Sequence, residues 1–291
     1  MKHNQTIWVL GGDLRQAHLA RLLCQDGYIV HTFALGQSGV SDPALIHETT
    51  LDQLDSADVV ILPMPISTKD ATLFAPFSKQ ITSLDKLLDR LKAQQLLLGG
   101  RLDPRTCAAA RLRGLSILDY FAREELAVAN CVPTAEGCLQ LALEHLPITI
   151  HGCRILVLGY GRVARITAQR FAALGGQVTV AARKYDQFAW AQSAGHDILS
   201  IRHLSGNLDR FDLVVNTVPS IILGAQELQE LSPDCLVIDL ASFPGGVDRE
   251  TAKELGRQVI WALSLPGSTA PVSAANIMRQ TICHILHERG H

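Results

Sequence analysis

Gly159, Gly161 and Ala164, in the stretch LGYGRVAR, end one short apolar run and open an amphipathic one. Strand, GxGxxA and helix in that order are what a dinucleotide-binding unit requires. Gly159 permits the tight turn, Gly161 lets the backbone approach a pyrophosphate, and Ala164 lets the helix lie close on the strand, while the helix N-terminus faces the phosphates. Tyr160, Arg162 and Val163 complete the turn and are assigned to the same contact. Where an Asp or Glu about 20 residues on would hold the ribose 2′-hydroxyl of NAD, the chain has Ala181, Ala182, Arg183 and Lys184. Two cations there suit a 2′-phosphate, so NADP is expected over NAD; the other reading of Arg183 and Lys184 is a solvated pair at a strand end. The stretches NTVPS and DLASFPGGVD also follow strands, so both loops are expected at the carboxyl edge. Thr217, Pro219 and Ser220 are expected to line the ribose. Ser242 is placed to bond the carboxamide or a substrate carboxylate, and Asp239 either shares in this or accepts backbone hydrogen bonds in its own turn.

The first half opens on a similar stretch, WVLGGDLRQ, which lacks the second half of the fingerprint. Asp13 is an anion at a helix N-terminus, where it competes with phosphate for the same backbone donors and is read as a cap. Arg15 is then expected to be free to face a cleft, its alternative being a surface arginine in a first helical turn. Ser67 and Thr68 in LPMPIST, with the backbone of GGRLDP, follow later strands of the same half. An arginine fork with hydroxyls can hold a planar carboxylate.

Short apolar or β-branched runs alternating with helical patterns along the whole chain must position these groups. That alternation gives the fold class α/β: two Rossmann-like, doubly wound parallel-sheet lobes. Strands are expected at Ile7–Leu10, Tyr28–Phe33, Asp58–Leu62, Gln95–Leu98 and Ser116–Leu118 in the first half, and six more in the second. Residues 1–132 form the first lobe and 151–270 the second, with the segment 271–291 a helix returning to the first. Residues 133–150 form a crossover helix that Pro133 and Thr134 open, placing Glu136 in its first turn.

The 291 residues are 47% hydrophobic and 19% charged, with a formal net charge of −2. The two halves carry nearly balanced charge, which argues against a nucleic-acid surface or a membrane-facing patch. Seven cysteines, an odd number with no CxxC, read as reduced core thiols. No metal site is expected. No signal peptide or membrane span is recognised, so a cytoplasmic location is expected.

GGDLRQ, DYFAREELAVANCVPTAEG, LGYGRVARITAQRFAALGGQVTVAARK, NTVPSIIL, DLASFPGGVD and LPGSTAPVSAANI together resemble the family of dipicolinate synthase A subunits, nearly end to end. The PTxEG and DLASxPGGxD segments are the distinctive ones. The two-lobed form also looks like that of D-2-hydroxyacid dehydrogenases and alanine dehydrogenase. The resemblance implies NADP-dependent oxidation of dihydrodipicolinate to pyridine-2,6-dicarboxylate in the mother cell of a sporulating bacterium, with the flavoprotein-like B subunit of dipicolinate synthase as partner. By analogy with the architecture, a homo-oligomer is expected. A dicarboxylate substrate needs two anion clamps, for which Arg15 with Thr68 or Arg123 is the expectation, with Ser242 near the nicotinamide. Aromatisation needs a base, and Glu136 is the first candidate, ahead of His151 and His203; its alternative is a capping acid. Two other functions stay open: a D-2-hydroxyacid dehydrogenase relative, for which LPGSTAPVSAANI lacks the expected histidine, and a non-catalytic protein that senses a dinucleotide.

Overall fold

The computed structural model describes residues 4–68 and 70–290. Strands β1 (Thr6–Leu10), β2 (Ile29–Phe33), β3 (Ile46–Glu48), β4 (Val59–Ile61), β5 (Leu96–Gly99) and β6 (Ile117–Asp119) form one parallel sheet. A second comprises β7 (Arg154–Leu158), β8 (Gln177–Ala182), β9 (Asp197–Ser200), β10 (Leu213–Asn216), β11 (Leu236–Asp239) and β12 (Gln258–Trp261). The helices are α1 (Leu14–Gln25), α2 (Leu84–Leu88), α3 (Pro104–Leu112), α4 (Glu124–Ala129), α5 (Cys131–His145), α6 (Arg162–Ala173), α7 (Tyr185–Ser193), α8 (Ala225–Glu230), α9 (Arg249–Glu254), α10 (Leu265–Thr269) and α11 (Pro271–Glu288).

The strand orders are β3-β2-β1-β4-β5-β6 and β12-β11-β10-β7-β8-β9. Read from its other edge, the second sheet is third, second, first, fourth, fifth, sixth, as in the first sheet. This is the doubly wound order with its switch point beside the first strand. The chain is therefore α/β and two-lobed, of Rossmann type, as its strand pattern predicts. One compact unit runs to Ala129 and takes in the chain from Ala270; the other spans Asn130–Thr269.

Alternation along each first strand supplies two cores, one per face. Ile7 and Val9 pack with Ala17, Leu19 and Leu23 of α1 and with Met278, Ile282 and Ile285 of α11. Trp8 and Leu10 pack on the other face with Leu54, Leu84 and Leu87. In the second unit Ile155 and Val157 meet Cys138 and Ala142 of α5 and Ala164 and Ala168 of α6, while Leu156 and Leu158 meet Leu228 and Ala252. All seven cysteines are free, four of them buried. Burial pushes the Cys153 thiol up to about 11 and the Cys235 thiol up to about 12.

Three expectations need correction. Strand β3 was not expected: it is a three-residue edge strand whose Ile46 and His47 are exposed, so no buried apolar run announces it. Helix α5 begins at Cys131, not at Pro133, so Glu136 lies in its second turn. Proline is tolerated within the first turn of a helix because the N–H it lacks has no intrahelical partner there. Finally, the run Glu124–His145 has the length and mean hydropathy, 1.3, of a membrane span. Pro133, Ala135, Gly137, Cys138 and Ala142 in that run are buried within the protein.

Candidate functional site

In the second unit the chain leaves β7 through Gly159, whose φ is +91°, a left-handed conformation suited to glycine. A Cβ at this position would lie 2.6 Å from Thr217 Oγ1. The Gly159 amide donates to the Ala181 carbonyl at 2.8 Å, which ties the turn to β8. Gly161 is the N-cap of α6 and supplies no side-chain cap, and a Cβ built on it would meet no protein atom within 4 Å. The N-terminus of α6 thus carries no side-chain cap from Gly161 and has open space beside it, which is what an anion such as a pyrophosphate needs. Ala164, in the first turn of α6, is fully buried.

Around this turn Arg162 is exposed and Val163 half-buried. Tyr160 is only 4% exposed, with its ring 5.3 Å from the Arg165 guanidinium and 6.4 Å from the His196 ring. Its ring is packed into the unit, so Tyr160 offers the turn its backbone. Arg183 and Lys184 are exposed in the turn after β8, and neither side chain bonds a described residue. The Thr217 hydroxyl donates to the Leu158 carbonyl at 2.8 Å, while Pro219 and Ser220 are exposed beyond it.

The loops after β10 and β11 are joined by a network that sequence reading missed. Asn216 and Asp239 are both buried, and the Asn216 amide donates to Asp239 Oδ1 at 2.7 Å and to the Val218 carbonyl at 3.0 Å. Asp239 also accepts from the amides of Ala241 (3.0 Å) and Gly246 (2.8 Å). Asp239 therefore does accept backbone hydrogen bonds in its turn, with Asn216 as a further donor. A Cβ on Gly246 would collide with the Asn216 amide, so the glycine pair of PGG is what lets this loop close on the network. Trp261 Nε1 donates to the Ala241 carbonyl at 2.8 Å, and the Arg249 guanidinium lies 3.9 Å from its ring. These contacts leave Ser242 and Phe243 exposed, Phe243 at 79%. A large exposed aromatic at the carboxyl edge was another residue the motif reading passed over.

The corresponding turn of the first unit is filled. Gly12 donates to the Phe74 carbonyl at 2.7 Å, and a Cβ on Gly11 would lie 2.6 Å from the same oxygen. Asp13 caps α1, as expected, by accepting from the Arg15 amide at 3.0 Å. Arg15, however, is not free. Its Nε and Nη2 fold back on the Asp13 carboxylate, Nη2 at 2.7 Å, Nη2 also reaches the Met64 carbonyl at 3.3 Å, and the residue is 7% exposed. The physical reason is proximity: a carboxylate two residues away meets the guanidinium fork in a bidentate pair.

Arg123 is also engaged. Nη1 and Nη2 each donate to Glu288 at 2.7 Å and Nε to Glu125 at 2.8 Å, and these bonds raise its pKa further. Thr68 is exposed, and its hydroxyl shares a 2.7 Å hydrogen bond with that of Thr72. Among the described residues, one cation left unengaged after this unit's strands is a residue that sequence reading did not select. Arg101 follows β5 in a left-handed conformation, φ +58°, and its guanidinium is exposed with no hydrogen bond or ion pair to a described residue. Its backbone is held there by Asp119, which accepts from the amides of Arg101 and Leu102, each at 3.1 Å. A non-glycine residue at positive φ just beyond a strand is a feature that functional sites collect.

Glu136 is exposed and lies 3.7 Å from Arg170, in the last turn of α6. At 1.5 Å per residue, Arg170 stands about 12 Å along the helix from its open N-terminus. The carboxylate is thus directed at a cation far from the glycine turn. His151 and His203 are exposed.

Comparison with known proteins agrees with this division. Residues 6–121 match a family model described as the N-terminal domain of the dipicolinate synthase A subunit, and residues 146–235 match one described as putative NAD(P)-binding. The A subunit of dipicolinate synthase from Bacillus subtilis (strain 168) is 33% identical over 288 residues, covering 97% of this chain and 96% of that protein. The crystal structure of the B. subtilis A chain superimposes with a TM-score of 0.89 at 30% identity, covering 99% of this chain and 97% of that one. The corresponding protein from Bacillus halodurans gives 0.91 at 27% identity, covering 98% and 99%. An L-alanine dehydrogenase shares the fold alone, with a TM-score of 0.69 at 14% identity over 98% of this chain and 91% of that one.

Proposed function

Because the chain belongs to the family of dipicolinate synthase A subunits, we propose that it catalyses the NADP-dependent oxidation of dihydrodipicolinate to dipicolinate. We place it in the mother-cell cytoplasm of a sporulating bacterium, as a homo-oligomer working with the flavoprotein-like B subunit of the synthase. The nearly chain-long relationship carries this reading. The second unit has an oxidoreductase-like fold and an NAD(P)-binding segment. Its open turn fits a nicotinamide dinucleotide, since Gly161 puts no side chain over the N-terminus of α6. Bound there, the dinucleotide supplies the hydride acceptor.

Gly159, Gly161 and the first turn of α6 hold the pyrophosphate, with Tyr160, Arg162 and Val163 contributing backbone. Arg183 and Lys184 meet the ribose 2′-phosphate as charge-assisted donors. Thr217, Pro219 and Ser220 border the nicotinamide ribose, and Ser242 serves the nicotinamide side. For the substrate carboxylates, Arg15 has only Nη1 unengaged and Thr68 one hydroxyl already shared. Arg101 therefore takes precedence over Arg123 as a clamp. Glu136 is a weak base candidate because it faces Arg170. Glu136→Gln is expected to leave turnover within about twofold, since the change removes one exposed ion pair.

That same observation favours a second reading, a dinucleotide-sensing protein that does no chemistry itself. Purified chain, dihydrodipicolinate and NADP⁺, assayed for the pyridine product by its absorbance, separates the two. Product from the chain alone supports the enzyme. Product only after the B subunit is added moves the chemistry to the complex.

A further inference from the structure

A groove of about 490 Å³ runs along the flank of the second unit between α6 and the end of α7, lined by Tyr160, Arg165, Ile166, Gln169, Ala194 and His196 among others. Its size is that of a small-molecule site. None of its lining residues is Gly159, Gly161, Arg183 or Lys184, and it extends to Ala172 and Ala173 at the far end of α6. At 1.5 Å per residue, that end lies about 15 Å from the helix N-terminus.

The lining residues set its chemistry. Tyr160 and His196 are 4% and 7% exposed, yet the Tyr160 hydroxyl and both His196 ring nitrogens make no hydrogen bond with a described residue. Neither residue has a fully buried polar atom lacking a partner, so the hydroxyl and the ring nitrogens reach solvent and are free to bond a ligand in the groove that both residues line. Arg165 stands at the mouth, its guanidinium 5.3 Å from the Tyr160 ring and 5.4 Å from the Trp190 ring, with Nε on the Tyr160 carbonyl at 3.3 Å and no acidic partner among the described residues. No described Asp or Glu lines the groove. Ile166 and three alanines give it an apolar wall. Burial holds His196 below the usual histidine range, so near neutrality its imidazole is uncharged and offers one donor and one acceptor.

We propose that this groove is a binding site for a small carboxylate with an aromatic or apolar body, distinct from the dinucleotide turn. The carboxylate pairs with Arg165, its body lies against Ile166 and the alanines, and the Tyr160 hydroxyl and His196 ring meet its remaining polar atoms. Arg165 lies against the Tyr160 and Trp190 rings with Nε on the Tyr160 carbonyl, so part of the cost of ordering its fork is met before a ligand arrives.

Benzoate is the probe, with benzamide as its neutral counterpart, each titrated into ¹⁵N-labelled full-length protein saturated with NADPH. Benzoate is expected to shift the amides of Ala172, Ala173, Ala194 and His196 while NADPH stays bound. Arg165→Ala is expected to raise its dissociation constant at least ~10-fold, the worth of one charge-assisted pair. Gln169→Leu, at an exposed position, should weaken it less, and it serves as the test if Arg165→Ala does not fold. The proposal is overturned if benzoate displaces NADPH, if its shifts fall elsewhere, if benzamide binds as tightly, or if neither variant weakens binding. Because NADPH is present throughout and no turnover is read, the result is independent of which substrate the protein oxidises.

Discussion

Asp58 and Asp212 do one job in two places. Each sits just before the fourth strand of its unit and accepts the first amide of the first strand, Thr6 N in one case and Arg154 N in the other, both at 2.8 Å. The sheet orders match as well. Against that common scaffold, the glycine turns diverge. In the first unit the Phe74 carbonyl occupies the turn, the Asp13 carboxylate caps α1, and Arg15 neutralises Asp13. In the second the N-cap is Gly161, which supplies no side-chain cap, and a Cβ built on it would meet nothing within 4 Å beyond its chain neighbours. A doubly wound sheet always presents a helix N-terminus at its switch point; whether it can take an anion is decided by two or three residues that fill it or leave it bare.

Transplanting the cap should break the comparison most strongly. Gly161 has φ −83°, which any residue adopts, so Gly161→Asp introduces the first unit's carboxylate without backbone strain. NADPH affinity, read by fluorescence titration, is expected to fall more than ~100-fold through like-charge repulsion, with the thermal midpoint unchanged or raised. Retained affinity would show that the open helix end is not the phosphate site.

Next in size, Asp239→Ala removes the acceptor of three buried donors, and denaturant unfolding should show a loss of about 3 kcal/mol. Arg183→Ala should cut the preference for NADPH over NADH by about tenfold, the effect of losing one charge-assisted contact; an unchanged ratio would leave Arg183 as a solvated strand-end cation.

The smallest effect tests the shared device. Arg154 hydrogen bonding holds the Asp212 carboxyl below the usual aspartate range, and the pair is half exposed on the arginine side. A depressed carboxylate stabilises the fold above its unfolded pKa, about 3.9, and that contribution disappears as pH falls through the lower folded value. Asp212→Asn should therefore cost under about 1 kcal/mol at pH 7 and nothing at pH 2, measured as the difference in midpoint between the two proteins.

The two-sheet architecture was legible because buried parallel strands are written as unbroken apolar runs, and eleven of the twelve described strands announce themselves that way or by their glycine turns. Ile46–Glu48 did not, since an edge strand of three residues has no inner face to encode. The open glycine turn after β7 was legible from spacing alone. The fate of the arginines was not. Arg123 finds Glu288, 165 positions away, and no local pattern could report that pairing. Arg15 was misjudged for the opposite reason: its partner was two residues off, but read only as a cap. Asn216 and Asp239 were each visible as strand-end polar residues, yet their bond depends on the pairing of neighbouring strands in register.

That bond has a consequence in time as well as in energy. Asn216 holds the loop after β10 through Val218, and Asp239 holds the loop after β11 through Ala241 and Gly246, so the two loops share one latch. Neither can lift without exposing a buried carboxylate or amide belonging to the other. The amides of Val218, Ala241 and Gly246 should then exchange with solvent at a single rate, opening as one cooperative unit, and a ligand that orders either loop would slow all three.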